Sequence, residues 1–183
     1  RRQRQMCIRD RYGSAYILTM TKQFMYSYQE KDAKTVVYSN SFTFNDKSNK
    51  LTSMPALKIS GSMYLPAEET LSNVIGLNYN YNADTKTLNI ENTVTNKKVK
   101  LVLNETTMTV NGSPVSLSTP MYLVTRKDKN SEVLCIPAKK VLTALGYSYK
   151  WDKKKTLISV HDLIYFDWTA DTKKATDASV NYI

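Results

Sequence analysis

The sequence repeats one order of features twice, and this repetition constrains the fold more than any other property of the chain. In each segment an apolar stretch runs into a proline, at Pro66 and at Pro137. A glycine follows ten residues after the first proline and nine residues after the second, at Gly76 and Gly146. An alternating aromatic stretch, LNYNY or YSYKW, comes next, followed by a short apolar stretch. Such recurrence predicts a repeated supersecondary unit.

The residue types predict a strand, a short helix and a hairpin in each unit. Proline suits the first helical position, because its missing N–H would have no partner there. Glycine suits the position after a helix, where φ becomes positive. Apolar residues at helical spacing predict buried helix faces: Leu71, Val74 and Ile75 in the first unit, and Ala138, Val141, Leu142 and Leu145 in the second.

A further hairpin precedes each unit. Asn111-Gly112 between two apolar stretches predicts a type I′ turn, and Asn45-Asp46 after Phe42–Phe44 predicts a weaker equivalent. We therefore predict an α+β fold of two tandem hairpin–strand–helix–hairpin units, with mostly antiparallel strands and one short helix each.

These features divide the chain into five expected parts. They are residues 1–11, a non-native segment; 12–35, an N-terminal edge strand or the remnant of a preceding unit; 36–93, the first unit; 94–162, the second unit; and 163–183, a linker or the start of a further region.

Residues 1–11 differ in composition from the rest. Five arginines and Asp10 give this segment +4 of the formal charge of +10, whereas the remainder holds twenty lysines and only Arg126. When reverse-translated, Gln5–Arg11 resembles the transposon mosaic end used in sequencing libraries. We therefore expect these residues to be an artefact and the chain to be a metagenomic fragment whose true start lies upstream.

Five stretches of the second unit follow one another in a recognisable order: Val110–Leu117, Asn130–Pro137, Ala144–Gly146, Tyr149–Asp152 and Thr156–Ile158. With them the unit resembles the N-terminal, stalk-like domain of copper amine oxidases, as it recurs in secreted and surface proteins of Gram-positive bacteria. The resemblance extends over about 36–160 and is weaker in the first unit, where Tyr81 stands in place of the usual Trp. It implies an extracellular or cell-surface location and carries no catalytic residues to this chain.

Catalysis and cofactors are not expected. In the resembled family, copper and the tyrosine-derived quinone belong to a separate catalytic domain with three His ligands, whereas this chain has a single histidine, His161. Asn78-Tyr79-Asn80 lacks the acidic residue of the quinone motif. Cys135 has apolar neighbours and no Cys-His signature, so we interpret it as a small core residue. We predict no enzyme, no metal and no cofactor.

The remaining charge is +6, and no nucleic-acid motif accompanies it, so a nucleic-acid partner is not expected. No apolar run is long enough to span a membrane. Lys153–Lys155 in a predicted turn is most simply a solvated loop. With Lys150 and the pair Lys139-Lys140 it could instead form a basic face for an anionic polymer.

Two functions follow from these observations. The first is a non-catalytic structural or interaction module of a secreted or cell-wall-associated bacterial protein, whose partners are a wall polymer or other domains of the parent protein. The alternative is a module that binds a glycan or an anionic wall polymer. It would use exposed aromatic side chains and the predicted site residues Lys150, Lys153, Lys154 and Lys155.

Overall fold

The computed structural model describes residues 26–28, 36–126 and 129–162. Its strands, in chain order, are β1 Tyr26–Tyr28, β2 Val36–Ser39, β3 Ser41–Phe44, β4 Lys47–Lys50, β5 Ala56–Ile59, β6 Ser62–Pro66, β7 Asn78–Asn82, β8 Thr87–Asn92, β9 Lys97–Val102, β10 Thr107–Val110, β11 Ser113–Ser116, β12 Tyr122–Arg126, β13 Ser131–Pro137, β14 Tyr147–Asp152 and β15 Leu157–Asp162. The helical elements are a π-helical segment, Glu69–Val74, and an α-helix, α1, Ala138–Ala144.

The strands form three sheets. A six-stranded central sheet has the order β1-β12-β13-β6-β5-β2, a five-stranded sheet the order β11-β10-β9-β8-β7, and a four-stranded sheet the order β14-β15-β3-β4. Strand neighbours are antiparallel apart from β15 and β3, which run parallel. The prediction of mostly antiparallel strands is therefore confirmed for the described residues.

The predicted α+β class, with one short helix in each unit, is wrong. The described residues are mostly β-strand, and α1 is their one α-helix. After Pro66 the chain winds more widely: the N–H of Ile75 donates to the carbonyl of Thr70, five residues back, at 3.1 Å. In α1 the N–H of Leu145 donates to Val141, four residues back, also at 3.1 Å. The spacing from Pro66 to Gly76 is one residue longer than that from Pro137 to Gly146, and the π-type winding accommodates this additional residue.

The two strands that end in proline pair with each other at the centre of the molecule. Leu65 of β6 lies opposite Ile136 of β13, and each proline lies near one end of this antiparallel contact. Successive side chains point to opposite faces, so Leu65 and Ile136 enter the main core while Tyr64 and Cys135 enter a second apolar cluster. Both faces of the central sheet are therefore buried, which explains the unbroken apolar sequence of these strands.

The predicted turn residues take the backbone conformations that the sequence requires. Gly76 and Gly146 have φ of +82° and +93°, as glycines after a helix should. Asn111 and Gly112 both have positive φ, at 50° and 83°, and join β10 to β11. This confirms the type I′ hairpin, which requires positive φ at both central positions.

The N-terminal artefact predicted at residues 1–11 and the linker predicted at 163–183 lie outside the described residues, as does most of 12–35. No helix among the described residues is long and apolar enough to cross a membrane.

Candidate functional site

A groove of about 980 Å³ lies between α1, β14, the start of β6 and the β10–β11 hairpin. We call it the basic groove and define it by Met63, Lys97, Lys139, Lys140, Tyr149 and Trp151. Its further lining residues are apolar side chains, small hydroxyl side chains and a glycine, and no carboxylate lines it among the described residues. Three ammonium groups thus border an apolar floor, and the described lining residues include no acidic group to balance them.

The helix α1 places two of these lysines because its other face is buried. Ala138, Val141 and Leu142 pack into the core with 0% exposure. Helical periodicity then turns Lys139 and Lys140 outward on the opposite face, towards the groove. The same burial that fixes the helix on the sheet therefore fixes the two charges at the groove rim.

Strand β14 supplies the aromatic floor. Tyr149 and Trp151 are half-buried, pack against the main core and also line the groove. Burial raises the pKa of Tyr149 to about 12, so its hydroxyl remains protonated near neutral pH. Trp151 packs against the main core and keeps part of its surface open to the groove.

The third lysine, Lys97, occupies an unusual position at the start of β9. Strand alternation places it on the same face as Val99 and Leu101, which are buried. Lys97 is half-buried, and no ion pair joins it to a carboxylate in the described part of the chain. Its aliphatic stem can cover apolar surface while its ammonium group reaches the groove. Lys97 was not predicted as a site residue from the sequence. Its alternation with Val99 and Leu101 could have indicated a lysine on the inward face of the strand.

The lysines predicted as a polymer-binding face lie elsewhere. Lys150 is exposed and alternates with Tyr149 and Trp151 along β14, so it lies on the opposite face of the strand. The other three, Lys153, Lys154 and Lys155, are exposed in the β14–β15 turn. Tyr149 and Trp151 are thus brought together with Lys97, Lys139 and Lys140, and none of the four predicted lysines lines the groove.

The β14–β15 turn is stabilised by hydrogen bonds within the turn itself. The Asp152 carboxylate accepts hydrogen bonds from the backbone N–H groups of Lys154 and Lys155, at 2.9 and 3.0 Å. The bond from the Lys155 backbone is the main cause that lowers the pKa of Asp152. The turn lysines are therefore held on an ordered loop.

An acidic corner lies at the start of the π-helical segment. The Glu69 carboxylate accepts hydrogen bonds from the backbone N–H groups of Thr52 and Ser53, at 2.7 and 3.0 Å, and from both hydroxyls. Arg126 donates to the carbonyls of the same two residues, at 3.2 and 3.0 Å. Partial burial raises the pKa of Glu69, but the hydrogen bonds outweigh it and leave this pKa below its ordinary value. This network ties a loop in place.

The residues that were considered as catalytic candidates have surroundings typical of structural residues. Cys135 is fully buried, and burial raises the pKa of its thiol, which makes a thiolate nucleophile unfavourable. Tyr79 packs against the core, and burial together with the Glu68 carboxylate raises its pKa to about 12. His161 contacts the Asp46 carboxylate, with 3.0 Å between Nε2 and Oδ1.

The donor set does not fit a copper site. His161 is the one histidine of the sequence. Within the described ranges, no three His, Cys, Asp or Glu side chains gather as metal ligands would. Copper in proteins is typically held by several imidazole or thiolate ligands, and Cys135 and His161 belong to separate surroundings, one a buried cluster and the other a sheet surface.

Comparison with known proteins gives one family. No curated protein matches the chain, and no solved structure matches it. The family model of the copper amine oxidase N-terminal domain matches residues 43–160, which is more than half of the chain. The matched segment contains the two proline-terminated strands, α1 and all but the last two residues of the β14–β15 hairpin. The chain therefore belongs to the copper amine oxidase N-terminal domain family.

Proposed function

We propose that this chain is a non-catalytic structural or interaction module of a secreted or cell-wall-associated bacterial protein. The copper amine oxidase N-terminal domain is itself a non-catalytic domain, and its family is often found in secreted or extracellular proteins. We extend both properties from the family to the protein that contains this chain. Its expected partners are a wall polymer and other domains of that protein.

This proposal rests on one observation: the side chains that could take part in catalysis are packed in the interior. Cys135 and Tyr64 fill one face of the central sheet, and Tyr79, Tyr149 and Trp151 pack against the main core on the other side. Groups that could act as a nucleophile or a proton donor are thereby held in apolar surroundings that disfavour their charged forms. Such a body suits a spacer or a binding platform.

We also propose that the chain is divided into a first unit at 36–93 and a second unit at 94–162. This division is supported by the common order of strand, proline, helical segment, glycine and hairpin in the two segments. It is also supported by the contact of β6 with β13, where corresponding strands of the two units meet antiparallel.

The alternative function, binding of a glycan or an anionic wall polymer, is favoured by a specific observation. The basic groove places two aromatic side chains beside three lysines, and its described lining contains no carboxylate. The predicted residues Lys150, Lys153, Lys154 and Lys155 remain candidates, since all four are exposed. They would act as a separate, solvent-screened surface.

Two measurements test the non-catalytic module. Incubation of the whole chain with copper and primary amines should release no hydrogen peroxide above a chain-free copper control, and sustained turnover would contradict the proposal. Co-sedimentation with purified Gram-positive cell walls then separates the two roles. A pure spacer remains in the supernatant at low salt, whereas a wall-binding module sediments and is released as salt is raised.

A further inference from the structure

We propose that the basic groove binds an anionic carbohydrate chain, with sugar rings against Tyr149 and Trp151 and acidic substituents at Lys97, Lys139 and Lys140. This inference rests on the proposed interaction role and names the partner and the site. The observations that carry it are the charge of the lining, the placement of the aromatics and the half-buried position of Lys97.

The charge of the lining requires an anionic partner. The three lysines come from two elements, β9 and α1, and converge on one groove whose described lining holds no carboxylate. By contrast, Lys98 on the other face of β9 has a partner, the Glu91 carboxylate at 3.1 Å. Lysines that have no acidic partner within the described ranges and lie in a concave surface raise the local concentration of anions. A neutral glycan would leave this charge unused.

The aromatic floor favours a carbohydrate over an acidic peptide. Tyr149 and Trp151 are two residues apart on β14 and therefore point the same way, roughly 7 Å apart along the strand. Both are held by core packing at one side and open to the groove at the other. Amphipathic rings fixed in this way offer apolar surface at little entropic cost. The hydroxyls of Ser62, Ser118 and Thr143 line the same groove and can bond sugar hydroxyls.

The position of Lys97 distinguishes this groove from an ordinary basic surface. A lysine on the buried face of a strand loses hydration and side-chain freedom on folding. Lys97 nonetheless stands where alternation demands an inward residue, next to the buried Val99 and beside the groove. A bound acidic group would supply the counter-charge that the described residues do not provide there.

The test compares matched charge removals in the whole chain. Binding of an oligogalacturonate is measured by titration calorimetry at low salt for the wild type and two triple variants. One is Lys97→Gln/Lys139→Gln/Lys140→Gln, in the groove; the other is Lys153→Gln/Lys154→Gln/Lys155→Gln, in the turn. Both remove three positive charges. We expect the groove variant to bind roughly tenfold more weakly and the turn variant to stay within about twofold of the wild type.

Two ligand controls define the partner. Neutral dextran should not bind, and poly-L-glutamate should bind more weakly than the oligogalacturonate. In a Trp168→Phe background, where Trp151 is the sole tryptophan, its emission should change with the oligogalacturonate and not with poly-L-glutamate. A change of this emission reports contact with the ring itself, which charge attraction alone does not require.

Several outcomes would overturn the proposal. These are absence of oligogalacturonate binding by the wild type, an equal loss in both triple variants, or equal binding and equal emission change with poly-L-glutamate. Circular dichroism and melting of each variant check that the fold is retained. None of these outcomes affects the copper and amine assay, so failure of the carbohydrate site is distinguishable from failure of the non-catalytic module.

Discussion

At the scale of single residues, Asn92 at the end of β8 is a buried polar group with four hydrogen-bond partners. Its side-chain N–H groups donate to the carbonyl of Leu145 and the hydroxyl of Tyr147, at 3.0 and 3.1 Å. Its side-chain carbonyl oxygen accepts hydrogen bonds from the backbone N–H groups of Val94 and Thr95, at 3.0 and 3.2 Å. One side chain thus joins the β8–β9 turn to the end of α1.

We expect Asn92→Ala to lower the free energy of unfolding by about 2–3 kcal/mol, because four polar groups lose a partner inside the protein. Chemical denaturation measures this loss. The matched control is Asn89→Ala on the exposed face of the same strand, which should change stability by less than about 0.5 kcal/mol. Equal effects of the two substitutions would contradict the structural role given to Asn92.

Glu69 gives a pH-dependent prediction. Its folded-state pKa is lowered, so its contribution to stability is complete above the unfolded-state pKa, about 4.3. That contribution is lost as pH falls through the lower, folded-state pKa. Glu69→Gln should therefore be less stable than the wild type by about 1 kcal/mol near neutral pH, and the difference should shrink on acidification.

Denaturation curves recorded from neutral to acidic pH test this behaviour. Glu68→Gln is the neighbouring control, because Glu68 is exposed whereas Glu69 bonds to Thr52 and Ser53. The control should follow the wild type closely at every pH. A stability difference for Glu69→Gln that stays constant, or grows on acidification, would be inconsistent with a lowered pKa.

At the scale of elements, the two glycines that follow the helical segments differ in their surroundings. Both have positive φ, but a Cβ at Gly76 would meet no atom within 4 Å, whereas one at Gly146 would lie 2.9 Å from Cγ2 of Thr95. Gly76→Ala should cost about 1 kcal/mol from backbone strain alone. Gly146→Ala should cost more, about 2–3 kcal/mol, because the β8–β9 turn must also move.

Thermal and denaturant unfolding of the two alanine variants measures this difference. Thr95→Ser removes the methyl group that the new Cβ would strike while keeping the hydroxyl, which donates to the carbonyl of Leu145 at 2.9 Å. In that background Gly146→Ala should be less damaging than in the wild type. If the penalty were unchanged, the contact with Thr95 would not be its cause.

Sequence reasoning predicted the elements better than their partners. Alternation and turn chemistry are local, so the Asn111-Gly112 hairpin, the buried face of α1 and the positive φ of Gly146 could all be predicted. The π-type winding could not, because the one-residue difference in spacing between proline and glycine has several structural solutions. The apolar pattern at Leu71 suits both windings, and hydrogen bonding in the folded chain distinguishes them.

The candidate site was only half predictable for a related reason. Lys139-Lys140 and the aromatics of β14 stood out in the sequence, but their meeting with Lys97 depends on how β9 and α1 pack. A run of consecutive charged residues, such as Lys153–Lys155, is easily recognised as a candidate site in the sequence. A site made of single lysines from separate elements leaves no such run.

At the scale of the whole molecule, the sheets connect segments that are far apart in the sequence. The β14–β15 hairpin near the end of the described chain pairs with β3 near its beginning, with Val160 opposite Phe44. The same main core contains Leu88 and Leu101 as well as Leu142 and Ile158. Each of the three sheets combines strands from residues 36–93 with strands from residues 94–162. We therefore expect unfolding to be cooperative across both segments.

We therefore expect Leu142→Ala, a cavity substitution in α1, to lower the free energy of unfolding by about 2–5 kcal/mol. Native-state hydrogen exchange should show this loss equally in β14–β15 and in the distant β8–β9 pair, because both open only in global unfolding. Lys140→Ala, on the exposed face of the same helix, is the control and should leave protection nearly unchanged. If protection fell in β14–β15 while β8–β9 kept its wild-type values, the two segments would be independent folding units. Equal loss in both would mean that the repeated order of elements is built into one cooperative body, in which the basic groove is held by strands and a helix from both segments.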